Sequence, residues 1–211
     1  KLLSALPVYE YEFPEDCVED EHNNAVILFT SGTTAYPKGV TLSHRNLLEN
    51  TKAILEYLKL RPNDSILMTL PFTYSYGNSV LLTHIAAGAS LIIENSAAFP
   101  YKILEDIKTH GVSGFSTVGS YLSLMVKAIK NSGNGENFFS SLRYITLAGE
   151  ATGENDIEFL RFAYPKLQIF VMYGQTEAGA RLSYLSPELL AAKAGSIGKG
   201  LCNTELRVVN E

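Results

Sequence analysis

The feature that most narrows the fold of this sequence is a regular exchange between two hydrophobic patterns. Short apolar runs at residues 25–29, 65–70, 89–93, 112–117, 143–147 and 168–172 have the length of buried strands. Between them, apolar residues return at helical spacing over 79–87, 101–110, 121–130 and 155–164. An earlier helix starts at Ser43, a residue suited to an N-cap. It carries Leu47, Leu48, Ile54, Leu55 and Leu58 until Arg61 and Pro62 end the pattern. Gly111 closes the 101–110 helix, residues 131–135 stop the 121–130 helix, and a last strand is expected at 205–209 after the glycine-rich residues 195–200. Parallel strands need a crossover, usually a helix, between them. The alternation therefore predicts an α/β class with mainly parallel sheets flanked by helices.

Composition enters as a set of exclusions. A chain of 211 residues with 46% hydrophobic residues can bury a real core. Lys+Arg number 17 against 22 Asp+Glu, a net charge of -5, so no basic field points to nucleic acid. Cys17 and Cys202 lie far apart and give neither a disulfide framework nor a paired-cysteine zinc site, which fits a reducing, cytoplasmic setting. His22, His84 and His110 are scattered and add no zinc constellation, and His44 reads as a structural residue near a helix start. The most apolar stretch, 80–93, is broken by His84 and Gly88 and falls short of the roughly 20 residues that a membrane span needs. Residues 1–25 read as an acidic approach segment without a motif and without the pattern of a secretion signal.

Open α/β sheets bind ligands at the carboxyl ends of their strands. Four loops at such ends carry unusual residues: 30–38, 71–77, 148–152 and 173–177. Residues 29–40 read FTSGTTAYPKGV. Hydroxyls from Thr30, Ser31, Thr33 and Thr34, the backbone at Gly32 and the charge of Lys38 are the mixture a triphosphate requires. Taken by composition alone, the same residues also make an ordinary surface turn. The spacing excludes the common P-loop, because Gly32 is followed by Lys38 and then Gly39. Further on, Tyr173, Gly174, Gln175, Thr176 and Glu177 follow a strand. A tyrosine ring offers a flat face to a purine, a threonine a hydroxyl to phosphate, and a glutamate a hard oxygen to Mg²⁺.

The order of these residues resembles the adenylate-forming (AMP-binding) superfamily of acyl-CoA ligases, peptide-synthetase adenylation domains and luciferases. Residues 29–40 match its signature loop, with Ala35 where glycine is usual, and residues 173–178 match its Tyr-Gly-x-Thr-Glu motif. The resemblance runs from about residue 26 to 211 in collinear blocks and implies the central part of the family's N-terminal domain. It implies that Tyr173 stacks on adenine, Thr176 contacts the α-phosphate, Glu177 binds magnesium, and Ala148, Gly149 and Glu150 lie against the base. Residues 71–77 resemble the family's aromatic substrate motif, with Tyr74 where histidine is common, which places Tyr74, Tyr76 and Gly77 at the acid. The alternative for the two tyrosines is half-buried packing. Thr73 stands where amino-acid-activating domains place an aspartate, so a plain fatty or aryl acid is favoured over an α-amino acid.

The implied reaction is attack of a small-molecule carboxylate on ATP with Mg²⁺ to give an acyl-adenylate, then transfer to a thiol, coenzyme A first and an acyl carrier protein as the alternative. Lys38, Thr176 and Glu177 would be the catalytic group. An amide-forming ligase and a silent adenylate-binding module share the same motifs. The resemblance further implies a C-terminal catalytic domain beyond residue 211, and little turnover by residues 1–211 alone.

Overall fold

The computed structural model describes residues 22–30, 37–94, 99–133, 137–202 and 204–209. In chain order the elements are β1 (Asn24–Thr30), β2 (Lys38–Ser43), α1 (His44–Leu58), β3 (Ser65–Met68), α2 (Ser75–Ala86), β4 (Ser90–Ile93) and α3 (Pro100–His110). They continue with β5 (Gly114–Thr117), α4 (Gly119–Asn131), β6 (Tyr144–Leu147), α5 (Glu154–Ala163), β7 (Gln168–Tyr173), β8 (Ser183–Leu185) and β9 (Lys199–Gly200). A seven-stranded sheet has the order β4-β3-β5-β6-β7-β8-β9. It is parallel from β4 through β7, and β8 and β9 add antiparallel edges. The expected mainly parallel α/β architecture is present.

Alternation along each central strand splits the core into two faces. Phe115, Ile145, Leu147 and Ile169 point to one face, where they pack with Ile103, Leu104, Leu122, Met125 and Leu160 of α3, α4 and α5. Tyr144, Phe170 and Met172 point to the other, against Ala53, Ile54 and Leu58 of α1, while Ile66 and Met68 meet Val80 of α2. β5 and β6 are buried along their whole length, as expected of parallel strands covered on both faces. At the amino end of this sheet, Arg143 grips Asp64 with two contacts, Nη2–Oδ2 at 2.6 Å and Nε–Oδ1 at 3.2 Å. Ser113 donates to the same carboxylate at 2.8 Å.

Local boundaries depart from the sequence reading in four places. The run at 25–29, expected as a buried strand, is β1 of a two-stranded antiparallel hairpin with β2, and it leaves Ile27 56% and Phe29 66% exposed. β2 occupies residues expected to be loop; it pairs with β1 from Thr30 opposite Lys38 to Asn24 opposite Ser43. α2 begins at Ser75 rather than at 79, so Tyr76 and Gly77 lie on its first turn instead of in a loop. Residues 204–209 form no strand among the described residues, and Val208 and Val209 are 99% and 81% exposed. A strand there has no neighbour to pair with, so its β pattern has nothing to act on.

Candidate functional site

The carboxyl ends of β3, β6 and β7 face the same end of the sheet and deliver three of the four marked loops. β3 leads through Pro71 to Tyr74, which N-caps α2 with extended backbone. A glycine is required at position 77, since a Cβ there would meet the Pro71 carbonyl oxygen at 2.2 Å. β7 leads into Gly174 and a 3-10 turn, Thr176–Ala178, before the chain reverses into β8 with Leu182 N–H donating to the Tyr173 carbonyl at 2.8 Å. The reversal is tight enough that a Cβ at Gly174 would meet the Ala180 carbonyl oxygen at 2.0 Å. β6 ends in Ala148, buried, and Gly149, whose φ of 92° lies in the region only glycine enters freely.

The loops touch. Ser75 Oγ on the first turn of α2 lies 3.1 Å from Thr176 Oγ1, tying the aromatic segment to the Thr-Glu segment. Gly149, Glu150, Tyr173 and Gly174 line one cavity of about 380 Å³ together with Leu185 and Leu190. A mostly apolar slot with an aromatic ring and glycine backbone on its walls suits a flat heterocycle. Glu150 also accepts from the Ser120 N–H at the start of α4, and that hydroxyl and amide hold its carboxyl below the usual range. Tyr173 Oη receives the side-chain amide of Gln175 at 2.7 Å.

Other expected residues lie apart from that slot. Lys38 is exposed and opens β2 opposite Thr30, with Ser31, Gly32, Thr33, Thr34 and Ala35 outside the described residues. Glu177 is exposed and lines a second cavity, of about 390 Å³, together with Asn46 and Asn50 of α1. Tyr74 is 64% exposed. Tyr76 turns inward, its hydroxyl 2.8 Å from both the carbonyl and Oγ1 of Thr146 on β6. Burial pushes that phenol up to about 12, against the pull of the Arg181 cation. Among the described residues, no cluster of three or more His, Cys, Asp or Glu could hold a metal, and no helix is long and apolar enough to cross a membrane.

Two residues at this end carried no sequence signal. Ser75 was one hydroxyl among several in its segment, and only the start of α2 gives it Thr176 as a partner. Arg181 follows the Thr-Glu turn and is 1% exposed, with Nη1 donating to Tyr57 Oη at 3.0 Å and its guanidinium carbon 5.3 Å from the centroid of the Tyr76 ring. Arg181 lies between the Thr-Glu turn and β8, and no pattern in its sequence neighbours marks it for burial.

A sheet with a cavity and converging hydroxyls at the carboxyl ends of its parallel strands is the arrangement in which open α/β proteins bind small molecules. The chain belongs to the AMP-binding enzyme family, whose model matches residues 3–211. It is 32% identical to 4-coumarate–CoA ligase 3 of Arabidopsis thaliana over 88% of this chain and 34% of that protein. It is 30% identical to 2-succinylbenzoate–CoA ligase of Bacillus pumilus over 96% of this chain and 42% of that protein. Among solved structures, the o-succinylbenzoate–CoA synthetase of Bacillus subtilis, in complex with ATP and magnesium ion, superimposes with a TM-score of 0.74 at 28% identity, covering 87% of this chain and 37% of that one. The chain therefore spans about a third to two-fifths of the length of these relatives.

Proposed function

We propose that the protein to which this chain belongs activates a fatty or aryl carboxylic acid with Mg-ATP, forming an acyl-adenylate, and passes the acyl group to a thiol, coenzyme A. The carrying observation is the Ser75–Thr176 contact, which sets the acid segment against the phosphate segment beside the slot walled by Gly149 and Tyr173. The residues fit the nucleotide: the glycine and aromatic walls suit adenine, and Lys38 with the loop before it supplies charge and hydroxyls for phosphates. Glu177 is a single exposed carboxylate, which is how Mg²⁺ is usually held when substrate phosphates and water fill the rest of its shell. Bound magnesium supplies neutralisation of phosphate charge.

In this reading the chain's own residues do the positioning. Tyr173 and Gly149 orient the base, Thr176 donates its hydroxyl to the α-phosphate, and Lys38 balances charge that builds as the carboxylate attacks. Tyr74 and the first turn of α2 form the wall for the acid. The relatives named above carry CoA ligase or synthetase in their names, which supports both the acid activation and the acceptor.

The test is carboxylate-dependent pyrophosphate release from Mg-ATP by the full-length protein over a panel of fatty, aryl and amino acids, with and without coenzyme A. Release with a fatty or aryl acid, raised by coenzyme A, is expected, and Lys38→Ala lowers it by about 100-fold, the scale of losing one charge-stabilising donor. Silence across the panel sinks the ligase reading, and unchanged rates in Lys38→Ala remove the lysine from the phosphate site.

A further inference from the structure

Arg181 is the largest fully buried side chain among the described residues. Its partners are few for a guanidinium, which carries five N–H donors. One donor reaches the Tyr57 hydroxyl and one ring face, that of Tyr76, lies alongside. Nε has no hydrogen-bond partner among the described residues, and none of the ion pairs among them involves Arg181. Contrast Asp64 and Arg143, which satisfy each other through two short contacts. A cation removed from water with so little compensation is costly unless something anionic comes to it.

The surroundings are polar in the same direction. Tyr76 Oη meets Thr146, and Thr146 Oγ1 lies 2.7 Å from Ser116 Oγ on the next strand. These hydroxyls lie on the α2 side of β5 and β6, beneath the turn that carries Ser75. These hydroxyls are partnered by one another, so the group left short of partners here is the Arg181 guanidinium.

We propose that Arg181 is a specificity-determining residue that pairs with a second carboxylate on the acid, so that the substrate class is a dicarboxylic acid. This rests on the ligase reading and narrows its fatty or aryl class. The reacting carboxylate stays on the Ser75–Thr176 side. The second reaches inward past the first turn of α2, and the Tyr76 ring moves off the guanidinium to admit it. Tyr57 and Tyr76 then remain as neutral flanks to an ion pair that supplies what the cation lacks.

The experiment uses the full-length protein and matched acids: butanoate against succinate, and hexanoate against adipate. Pyrophosphate release is measured for wild type, Arg181→Met and Arg181→Lys. Wild type is expected to favour each diacid by about tenfold or more in kcat/KM, since a site built for a polar group rejects the analogue lacking it. Arg181→Met loses that preference, its diacid rates falling about tenfold further than its monoacid rates, while Arg181→Lys retains part of it. Equal use of both members of each pair by wild type overturns the proposal. So does an equal loss on monoacids and diacids in Arg181→Met, the mark of an arginine that only supports the fold.

If Arg181→Met does not fold, the diacid-to-monoacid ratio of Arg181→Lys decides, and an unchanged ratio overturns the proposal. If no acid releases pyrophosphate from any variant, the ligase reading fails separately, and the anion site is read by ligand-induced shifts in Tm. A rise with succinate or adipate in wild type that Arg181→Met lacks supports the site. No rise, or the same rise with butanoate and hexanoate, overturns it.

Discussion

His84 sits in the last turn of α2 at 1% exposure, with Nδ1 2.7 Å from the Val80 carbonyl and Nε2 2.6 Å from the Tyr144 hydroxyl. A carbonyl can only accept, so Nδ1 carries the proton and Nε2 accepts from the phenol, a neutral ring with both nitrogens used. Burial moves this imidazole from 6.5 down to about 4; the Val80 carbonyl works against that and the Arg181 cation adds to it. The sign follows from proton counting. Between these values the unfolded chain binds the proton and the folded chain does not, so His84 gives stability above pH 6.5 that is lost as pH falls toward 4. The gap corresponds to roughly 3 kcal/mol. Urea unfolding from pH 7.5 to 4 should therefore show wild type losing ground to His84→Gln by about that order. Parallel curves for the two proteins would mean that the ring is protonated in the folded state as readily as in the unfolded one. In the sequence His84 was a scattered histidine; its burial depends on Tyr144 lying across Gly114, where a Cβ would meet that hydroxyl at 2.2 Å.

Helix ends were the most readable features at the level of single elements. Ser43 caps α1 as its sequence position indicated, accepting from the Asn46 N–H at 3.2 Å while the Asn46 side chain accepts from the Ser43 N–H at 3.0 Å. Replacing Ser43 by Ala should cost about 1 kcal/mol, and Ser43→Asp should cost little, because an aspartate side chain also accepts at that position. Equal unfolding midpoints for wild type and Ser43→Ala would show that water replaces the cap. Gly111 closes α3 with a φ of 60°, again as its position implies. The short elements were not readable. β8 has three residues and β9 two, too few for any period to register, and their strand character comes from hydrogen bonds to β7 and to each other. α2 began a turn early for a related reason: residues 75–78 are mostly polar, and the turn forms because Pro71 and Gly77 can approach closely.

Across the whole molecule, the amino end of the sheet is tied together by one charge cluster. Asp64 precedes β3, Ser113 precedes β5 and Arg143 precedes β6, and the guanidinium of Arg143 also donates to the Leu58 carbonyl at the end of α1. Burial works against the Asp64 carboxylate, and the donors from Arg143, Ser113 and Arg61 outweigh it and keep its pKa below the ordinary value. Asp64→Ala should cost about 2 kcal/mol, below the range for a fully buried pair because the Arg143 side chain keeps 26% exposure. Asp64→Asn should cost less, since it retains acceptor oxygen for Ser113. Chemical denaturation measures both, and a neutral Asp64→Ala would show that Arg143 finds water instead.

What the sequence determined by itself was the alternation of strands and helices from β3 through β7, the ends of the strong helices and the four loops at strand ends, because hydrophobic period, caps and glycines act over a few residues. It also determined the family, because the phosphate and Tyr-Gly-x-Thr-Glu segments carry residues in an order that chemistry alone does not require. Which loops meet was decided only by the tertiary structure. Ser75 and Thr176 are 101 residues apart, and Arg181 is separated from Tyr57 by 124. No local pattern records such pairs; they exist because the parallel sheet brings its carboxyl ends to one side and burial leaves polar groups no partners but one another.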